Sequence, residues 1–238
     1  MTIDDLRNTL AATGSLRAAI NLGNPVLAQL SKDGTPSGVS VTLASATAER
    51  LGVPLTTTCV GHAKDSFSAI VEGKVDIAFL AVDLERAQSV AFSRPYLQIE
   101  GTYLLNRESD ARTVSDLDRA GAKIASSNGS AYGLHLARTL QQATLVETGE
   151  LEQAVKALAA GEVDAVAGIR QSLDAVAKTG DRFRVLSDHF LEIHQAVGVS
   201  KAHESVLHLI DEIIQKTTAS GALADALQAS GQNATLLA

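Results

Sequence analysis

Apolar and polar positions along the chain follow two spacings that take turns. Short, almost unbroken apolar runs, of which "VDIAFLA" at residues 75–81 is the clearest, are typical of strands buried on both faces of a sheet. Between these runs, apolar residues recur at helical spacing, and several such segments end at a glycine, as helices often do. The predicted strands are 16–20, 55–60, 75–81, 98–105, 122–125, 144–147, 163–167, 183–186 and 193–199. The predicted helices are 3–10, 39–51, 63–72, 84–89, 129–142, 151–160, 171–178, 203–219 and 221–230. This alternation predicts an α/β protein with parallel-rich sheets flanked by helices.

One short motif occurs twice. Gly-x-Val-Asp stands at residues 73–76 and again at residues 161–164, and each copy follows a predicted helix and opens an apolar strand. The polar segment 106–113 lies between the two copies and is the best candidate for a linker. The repeat predicts two similar Rossmann-like lobes. The alternative is that Gly-x-Val-Asp is merely a common turn from helix to strand.

Length and charge narrow the range of partners. The 238 residues allow one large domain or two lobes of about 100 residues each. The net charge of −7 makes nucleic acid and anionic membrane surfaces poor candidates, so an anionic ligand would need a local basic site. Only 3% of the residues are aromatic, which argues against a pocket of stacked rings. No run approaches the roughly 20 apolar residues of a membrane span.

The single cysteine and the first residues bear on compartment and chemistry. Cys59 allows no intramolecular disulfide, and its strand-like surroundings predict a buried, inert thiol. The histidines lack metal-ligand spacing, so no metal and no cofactor are expected. Asp4, Asp5 and Arg7 interrupt the first apolar stretch, unlike a secretory signal. As written, the sequence predicts a cytoplasmic protein, or a periplasmic one if a signal segment has been removed.

The order of several motifs resembles the family 3 extracellular solute-binding proteins, the amino-acid and polar-solute receptors of bacterial ABC importers. The resemblance implies the type II periplasmic-binding-protein fold, with two lobes, a hinge and an interlobe cleft. It implies that residues 1–105 and 196–238 form lobe 1 and that residues 106–195 form lobe 2. The matching segments are Leu16-Arg17 to Asn21, Gly38 to Gly52, Gly73 to Asp76, Glu85-Arg86-Ala87, "FSRPY" at 92–96, "SDLDRAGAKIASSNGSA" at 115–131 and "ALAAGEVDAV" at 157–166.

Arg86 is the central candidate for ligand binding. In the family that the chain resembles, the arginine at this position grips the ligand's carboxylate. A guanidinium offers a planar fork to a carboxylate, and partial desolvation strengthens the pair. The alternative is an arginine on a helix surface, paired with Asp83 or Glu85.

Further candidate positions also follow from the resemblance. Ser130 and Ala131 occupy the places from which the family donates backbone and hydroxyl hydrogen bonds to the carboxylate, although Ser130 equally suits a simple helix cap. Ala81 stands where the family usually has a hydroxyl residue. Asn21 and Asn24 follow the first strand, where the family has an aromatic residue that stacks on the ligand. These departures argue against an ordinary α-amino acid as the ligand.

Charged residues of the second lobe suggest a sharper hypothesis. Arg170 lies where the family has an acidic residue for the ligand's ammonium group, so Arg86 and Arg170 together are predicted to clamp a ligand with two anionic groups, such as a dicarboxylate. The equal alternative is that Arg170 points to solvent. Glu100, in an apolar strand, either faces the cleft or lies at an edge position facing water. The returning hinge strand is expected to place His194 and Gln195 near the cleft.

Three functional hypotheses remain. The first is a binding protein, without catalytic residues, that closes as a monomer over a small anionic or zwitterionic carboxylate, amino-acid-like or dicarboxylate, and serves an ABC permease or is a cytosolic relative. The second is a lyase resembling cyclohexadienyl or arogenate dehydratases, which need a carboxylic acid near the substrate hydroxyl, and Glu100 is the only replacement available. The third is a cytosolic metabolite sensor.

Overall fold

The computed structural model describes residues 2–238, which form two compact units. Unit 1 contains the chain up to Gln98 together with His194–Ala238, and unit 2 is Ile99–Ile193. The lobe boundaries predicted from the sequence follow residues 105 and 195, whereas the boundaries of the units follow residues 98 and 193. Both crossing points of the chain lie inside long strands and not in the polar segment 106–113, which belongs wholly to unit 2.

Strands and helices alternate along the chain, so the α/β prediction is confirmed. The strands are β1 (Leu16–Asn21), β2 (Gln29–Leu30), β3 (Pro36–Ser37), β4 (Leu55–Val60), β5 (Ile77–Ala81), β6 (Val90–Phe92), β7 (Leu97–Asn106), β8 (Lys123–Ser127), β9 (Thr144–Thr148), β10 (Ala165–Ile169), β11 (Phe183–Val185) and β12 (Leu191–Ser200). The helices are α1 (Ile3–Leu10), α2 (Val39–Leu51), α3 (Ala63–Val71), α4 (Ala131–Thr139), α5 (Leu151–Ala160), α6 (Arg170–Ala177), α7 (Leu207–Ala219) and α8 (Ala222–Ala229). Across residues 2–238, none of the helices has both the length and the apolar character that crossing a membrane would require.

The sheet of unit 1 has the order β4-β1-β5-β12. β1 runs parallel to both β4 and β5, with Leu16 opposite Leu55 and Ala18 opposite Ile77. β12 is antiparallel to β5, with Gln195 opposite Ala81, and β6 pairs with β12. The carboxyl ends of β1 and β5 therefore lie at one edge of this sheet.

Unit 2 repeats the same plan. Its order is β9-β8-β10-β7, with β8 parallel to β9 and β10, and β7 antiparallel to β10. β11 pairs with β7, as β6 pairs with β12 in unit 1. In the order of its sheet, each unit thus has three parallel strands joined by helices and then one antiparallel strand.

The repeated Gly-x-Val-Asp motif aligns equivalent strands in the two units. Its glycine takes a positive φ (67° and 75°) at the end of the preceding helix. In unit 1, the backbone N–H of Asp76 donates to the carbonyl of Arg17 and its carboxylate accepts the N–H of the same residue, both at 2.8 Å. In unit 2, Asp164 makes the same two bonds with Lys123, also at 2.8 Å. The motif is therefore a helix-to-strand turn that also fixes the third strand of each unit against the first.

Both faces of the unit 2 sheet are buried. Tyr103 and Ile124 belong to one apolar cluster, while the next residue in each strand, Leu104 and Ala125, belongs to another. Successive side chains of a strand point to opposite faces, so helices cover the sheet on both sides. This explains the unbroken apolar runs in the sequence.

Some local predictions are wrong. Cys59 is exposed and not buried, because β4 stands beside β1 at the end of the strand order of the unit 1 sheet. The predicted helix 129–142 is shorter, since Ser130 caps it and Thr139 ends it. β6 was not predicted, because its three residues are too few to show a pattern.

Candidate functional site

The carboxyl edge of the unit 1 sheet collects most of the predicted binding residues. β1 ends at Asn21 and β5 ends at Ala81, and Arg86 follows five residues after β5. In open α/β sheets, ligands bind beyond the carboxyl ends of the parallel strands. The location of these residues therefore agrees with a binding role.

The loop after β5 turns the chain so that Arg86 returns to the strand it has just left. Asp83 starts the turn, because its Oδ1 accepts the N–H of Glu85 at 2.9 Å and its carbonyl accepts the N–H of Ala87 at 2.9 Å. The guanidinium Nη1 of Arg86 then donates to the carbonyl of Ala81 at 3.1 Å. Arg86 is only 3% exposed, so it is a buried cation and not a surface charge.

The pairing of β5 with β12 explains why the Ala81 carbonyl accepts this bond. The N–H of Val82 donates to the carbonyl of His194 at 2.9 Å, so the pair of Ala81 and Gln195 is a non-hydrogen-bonded pair of the antiparallel ladder. The carbonyl of Ala81 therefore points away from β12, toward the side on which β1 ends at Asn21. Arg86 donates to it there.

Burial and charge act on Arg86 in opposite directions. Desolvation lowers the pKa of the guanidinium, while the negative charges of Asp83 and Glu85 raise it. An arginine side chain still keeps its charge in proteins. A cation in a desolvated place attracts a carboxylate more strongly than one in water.

The two asparagines build the loop beside this edge. The Oδ1 of Asn21 accepts the N–H of Gly23 at 2.9 Å, and the Oδ1 of Asn24 accepts the N–H of Val26 at 3.1 Å. A Cβ atom on Gly23 would lie 1.9 Å from the carbonyl oxygen of Gly61, so this loop touches the loop after β4 backbone to backbone. The amide oxygens of both asparagines thus serve the backbone, which leaves their NH₂ groups as donors for a ligand.

Gln195 and His194 differ in their roles. Gln195 is 4% exposed and stands directly opposite Ala81. His194 is partly buried, and its carbonyl holds Val82. The structure therefore brings Ala81, Arg86 and Gln195 together within unit 1.

In unit 2, the predicted donors lie at the start of α4. The hydroxyl of Ser130 accepts the N–H of Gly133 at 3.0 Å and donates to the carbonyl of Ser127 at 2.7 Å, so Ser130 is the helix cap. Ala131 is the first residue of the helix. Tyr132, which the sequence does not predict as a site residue, follows them in the chain, and burial raises the pKa of its hydroxyl.

Arg170 and Glu100 form an ion pair within unit 2. The Nε of Arg170 donates to a carboxylate oxygen of Glu100. Its two terminal nitrogens donate to the carbonyls of Leu186, Ser187 and Asp188 at 2.8, 3.0 and 3.1 Å. The side chain of Arg170 is therefore bound and not directed to solvent. The clamp with Arg86 stays a prediction, and it would compete with these contacts.

Glu100 is not a free edge residue either. Besides Arg170, it has the Nδ1 atom of His189 at 3.3 Å from its second oxygen. The sequence does not predict the contacts with His189 and with the carbonyls of residues 186–188, because these residues lie far from Glu100 along the chain. That Glu100 faces the cleft and receives a ligand ammonium or hydroxyl group stays a prediction.

Known proteins resemble this chain over most of its length. The "Amino-acid-binding protein AabA" of Dichelobacter nodosus is 24% identical over 143 residues, which are 58% of this chain and 56% of the relative. The chain matches about half the length of the curated relatives.

Two solved structures share the fold. AbpA of Streptococcus pneumoniae, an amino acid ABC transporter substrate-binding protein bound to L-arginine, superimposes with a TM-score of 0.77 at 24% identity, covering 93% of this chain and 96% of AbpA. The ancestral amino acid-binding protein AncCDT-1, a precursor of cyclohexadienyl dehydratase, gives 0.75 at 21% identity, covering 94% and 96%. These likenesses confirm the predicted fold class.

The family model of the bacterial extracellular solute-binding proteins, family 3, matches residues 16–230. That range includes both copies of Gly-x-Val-Asp, Arg86 and the whole of unit 2. The resemblance predicted from the order of the motifs is confirmed, and the chain belongs to the bacterial extracellular solute-binding proteins of family 3.

Proposed function

We propose that this protein binds a small, carboxylate-bearing polar solute and that Arg86 binds the carboxylate. The burial of Arg86 at the carboxyl edge of the unit 1 sheet is the observation that carries the proposal. The guanidinium is fixed there by the Ala81 carbonyl, so little side-chain freedom remains to be lost on binding.

The ligand class we favour is amino-acid-like. AabA is named as an amino-acid-binding protein and AbpA holds L-arginine, which supports a ligand with a carboxylate and a second polar group. The second candidate ligand class is a dicarboxylate that Arg86 and Arg170 would bind together. It is less favoured, because Arg170 would have to give up Glu100 and the carbonyls of residues 186–188.

The physiological setting that fits best is import. Membership of an extracellular solute-binding family supports delivery of the solute to an ABC permease by an exported protein, which we propose acts as a monomer. A cytosolic metabolite sensor is the alternative. Cell fractionation separates the two, since recovery with periplasmic or secreted markers supports import and recovery with cytosolic markers supports sensing.

A dehydratase is the second candidate function, and the likeness to AncCDT-1 is the reason to keep it. Such a lyase needs a carboxylic acid that can approach the substrate hydroxyl. Glu100 is held in an ion pair by Arg170, with His189 at its other oxygen, and it would have to leave both. We therefore expect no product after incubation with prephenate or arogenate, and phenylpyruvate or phenylalanine formation would favour the enzyme.

A thermal-shift screen tests the proposal. The panel holds amino acids, dicarboxylates and keto acids, and a ligand at a hundredfold excess over Kd should stabilise the protein by about 2.7 kcal/mol. Arg86→Met should lose this stabilisation. Arg94→Met is the matched control, because Arg94 is an exposed arginine of the same unit. A ligand that stabilises Arg86→Met as much as the wild type would contradict the role of Arg86.

A further inference from the structure

We propose that Gln195 selects, among carboxylates, those with a hydrogen-bond donor on the carbon next to the carboxylate, either an amino or a hydroxyl group. This inference rests on the proposed binding of a carboxylate by Arg86. It concerns the second polar group of the same edge, and every residue it uses belongs to unit 1.

The ladder places the Gln195 side chain beside that of Ala81. The two residues form a non-hydrogen-bonded antiparallel pair, in which the Cα atoms are about 4.5 Å apart and the side chains lie on the same face of the sheet. Ala81 carries only a methyl group. Gln195 is therefore the polar side chain at the point where β5 and β12 meet the Arg86 loop.

The side-chain amide oxygen of Gln195 lacks a hydrogen-bond donor among the described residues. This oxygen, Oε1, is buried. A buried acceptor without a donor is costly, so buried amides usually have partners. The hydrogen bond that Gln195 makes to the neighbouring chain segment uses its backbone carbonyl, which accepts the N–H of Tyr96 at 2.9 Å. That bond does not involve the side chain, so it does not require a polar residue at this position.

The two side chains offer complementary chemistry to one ligand. Arg86 provides N–H donors to a carboxylate, and the Oε1 of Gln195 provides an acceptor to a neighbouring O–H or N–H. An α-amino or α-hydroxy acid satisfies both. A keto acid or a plain carboxylate leaves the buried acceptor unpaired, and a site built to hydrogen-bond one group discriminates strongly against ligands that lack it.

Because the amide of Gln195 is neutral, it also defines which α-substituents the ligand can carry. An anionic partner would favour an ammonium group over a hydroxyl, whereas an amide oxygen accepts from either. The protein is therefore expected to bind hydroxy acids as well as amino acids of the same carbon skeleton.

Calorimetric titration of matched ligand series tests this inference. The probes are alanine, lactate and pyruvate, and glutamate, 2-hydroxyglutarate and 2-oxoglutarate. In the wild type, the amino and hydroxy members of a series that binds should bind about tenfold or more tightly than the keto member. Gln195→Met, which keeps the length but removes the acceptor, should bring this ratio close to one. Gln215→Met, an exposed glutamine of α7, should leave the ratio unchanged.

A second variant keeps the test informative if Gln195→Met does not fold. Gln195→Glu retains an acceptor but adds a negative charge, so the preference over the keto acid should persist and the amino member should gain over the hydroxy member. A donor preference that survives in Gln195→Met, or that is missing in the wild type, overturns the inference while carboxylate binding stands. If neither series binds, the titration is made with the amino, hydroxy and keto acids that share the carbon skeleton of the best ligand of the thermal-shift screen. If no carboxylate of that screen binds the wild type, or if Arg86→Met binds its ligands unchanged, the proposed function falls and this inference falls with it.

Discussion

The two units share one strand order and place an arginine after the third parallel strand, yet they use that arginine differently. In unit 1, Arg86 is buried at the sheet edge, where its guanidinium donates to the Ala81 carbonyl of the preceding strand and is influenced by the charges of Asp83 and Glu85. In unit 2, Arg170 donates to Glu100 and to three consecutive carbonyls. The same scaffold therefore carries a structural cation in unit 2, and in unit 1 the cation that we propose for the ligand.

The need for a structural cation in unit 2 comes from the backbone after β11. Residues 186–188 follow that short strand, and their carbonyls point toward Arg170 and not into a sheet. Backbone carbonyls need donors, and a guanidinium with five N–H groups can satisfy several at once. A binding cation has the opposite requirement, because it must keep donors for the ligand.

Removing Arg170 should give the largest loss of stability. Arg170→Met removes these donors from Glu100 and from three carbonyls, of which those of Leu186 and Asp188 still accept from the Oγ1 of Thr102. Hydrogen bonds to charged groups contribute about 1.5–3 kcal/mol each before screening. Since the side chain of Glu100 is 40% exposed, we expect a total loss of about 3 kcal/mol in the free energy of unfolding, measured by urea titration. Arg112→Met, at an exposed arginine of unit 2, should change it by less than about 0.5 kcal/mol. An unchanged urea midpoint for Arg170→Met would remove the structural role.

Removing the aspartate of the Gly-x-Val-Asp motif should lower the free energy of unfolding more in unit 1 than in unit 2. The carboxylate of Asp76 is 11% exposed and accepts from the backbone N–H, the Nε and the Nη2 of Arg17, whereas Asp164 is 42% exposed and has Arg119 only at 3.6 Å. We expect a loss of about 2 kcal/mol for Asp76→Ala and about 1 kcal/mol for Asp164→Ala. Equal losses in the same urea titrations would mean that the side-chain pair with Arg17 adds nothing to the turn.

The loops after β1 and β4 approach so closely at Gly23 and Gly61 that a methyl group on Gly23, but not one on Gly61, should destabilise the protein. Gly23→Ala places a Cβ against the Gly61 carbonyl and must move backbone, with an expected cost of about 1–2 kcal/mol. Gly61→Ala has open space and no positive φ, so thermal unfolding should shift by much less. Similar melting temperatures for the two variants would show that the loops separate easily.

Acid pH should have the smallest effect, and Asp118 of unit 2 is one carboxylate that contributes to it. The N–H groups of residues 141–143 bind the carboxylate of Asp118 and lower its pKa. Because the folded pKa lies below the unfolded one, Asp118 contributes stability above about pH 4 that is lost as the pH falls through the lower, folded value. Asp118→Ala should therefore lose less stability than the wild type between pH 5 and pH 2. A wild-type slope in the variant would assign the acid sensitivity to other carboxylates.

The sequence predicted elements that local pattern decides. Apolar runs such as Ile77–Ala81 marked buried strands, glycines after α2 and α5 marked helix ends, and the order of motifs identified the family. Each of these depends on neighbours in the chain. They are the features that a single sequence carries directly.

The rest depends on which distant residues meet. Arg170 and Glu100 are 70 residues apart, and the sequence left Arg170 open between a clamp and solvent. Cys59 lies in a strand-like run, but its exposure follows from the place of β4 in the sheet order. The buried acceptor of Gln195 follows from its register with Ala81, which no local pattern fixes.

The most direct test of the difference between the two arginines is calorimetric titration of one carboxylate ligand into three proteins. The ligand is the compound that stabilises the wild type most in the screen, and the proteins are the wild type, Arg86→Met and Arg170→Met, each confirmed as folded. We predict that Arg86→Met weakens binding by about a hundredfold or more, while Arg170→Met stays within about threefold of the wild type. Equal losses in both variants, or a loss confined to Arg170→Met, would contradict the assignment of ligand binding to Arg86 and of structure to Arg170.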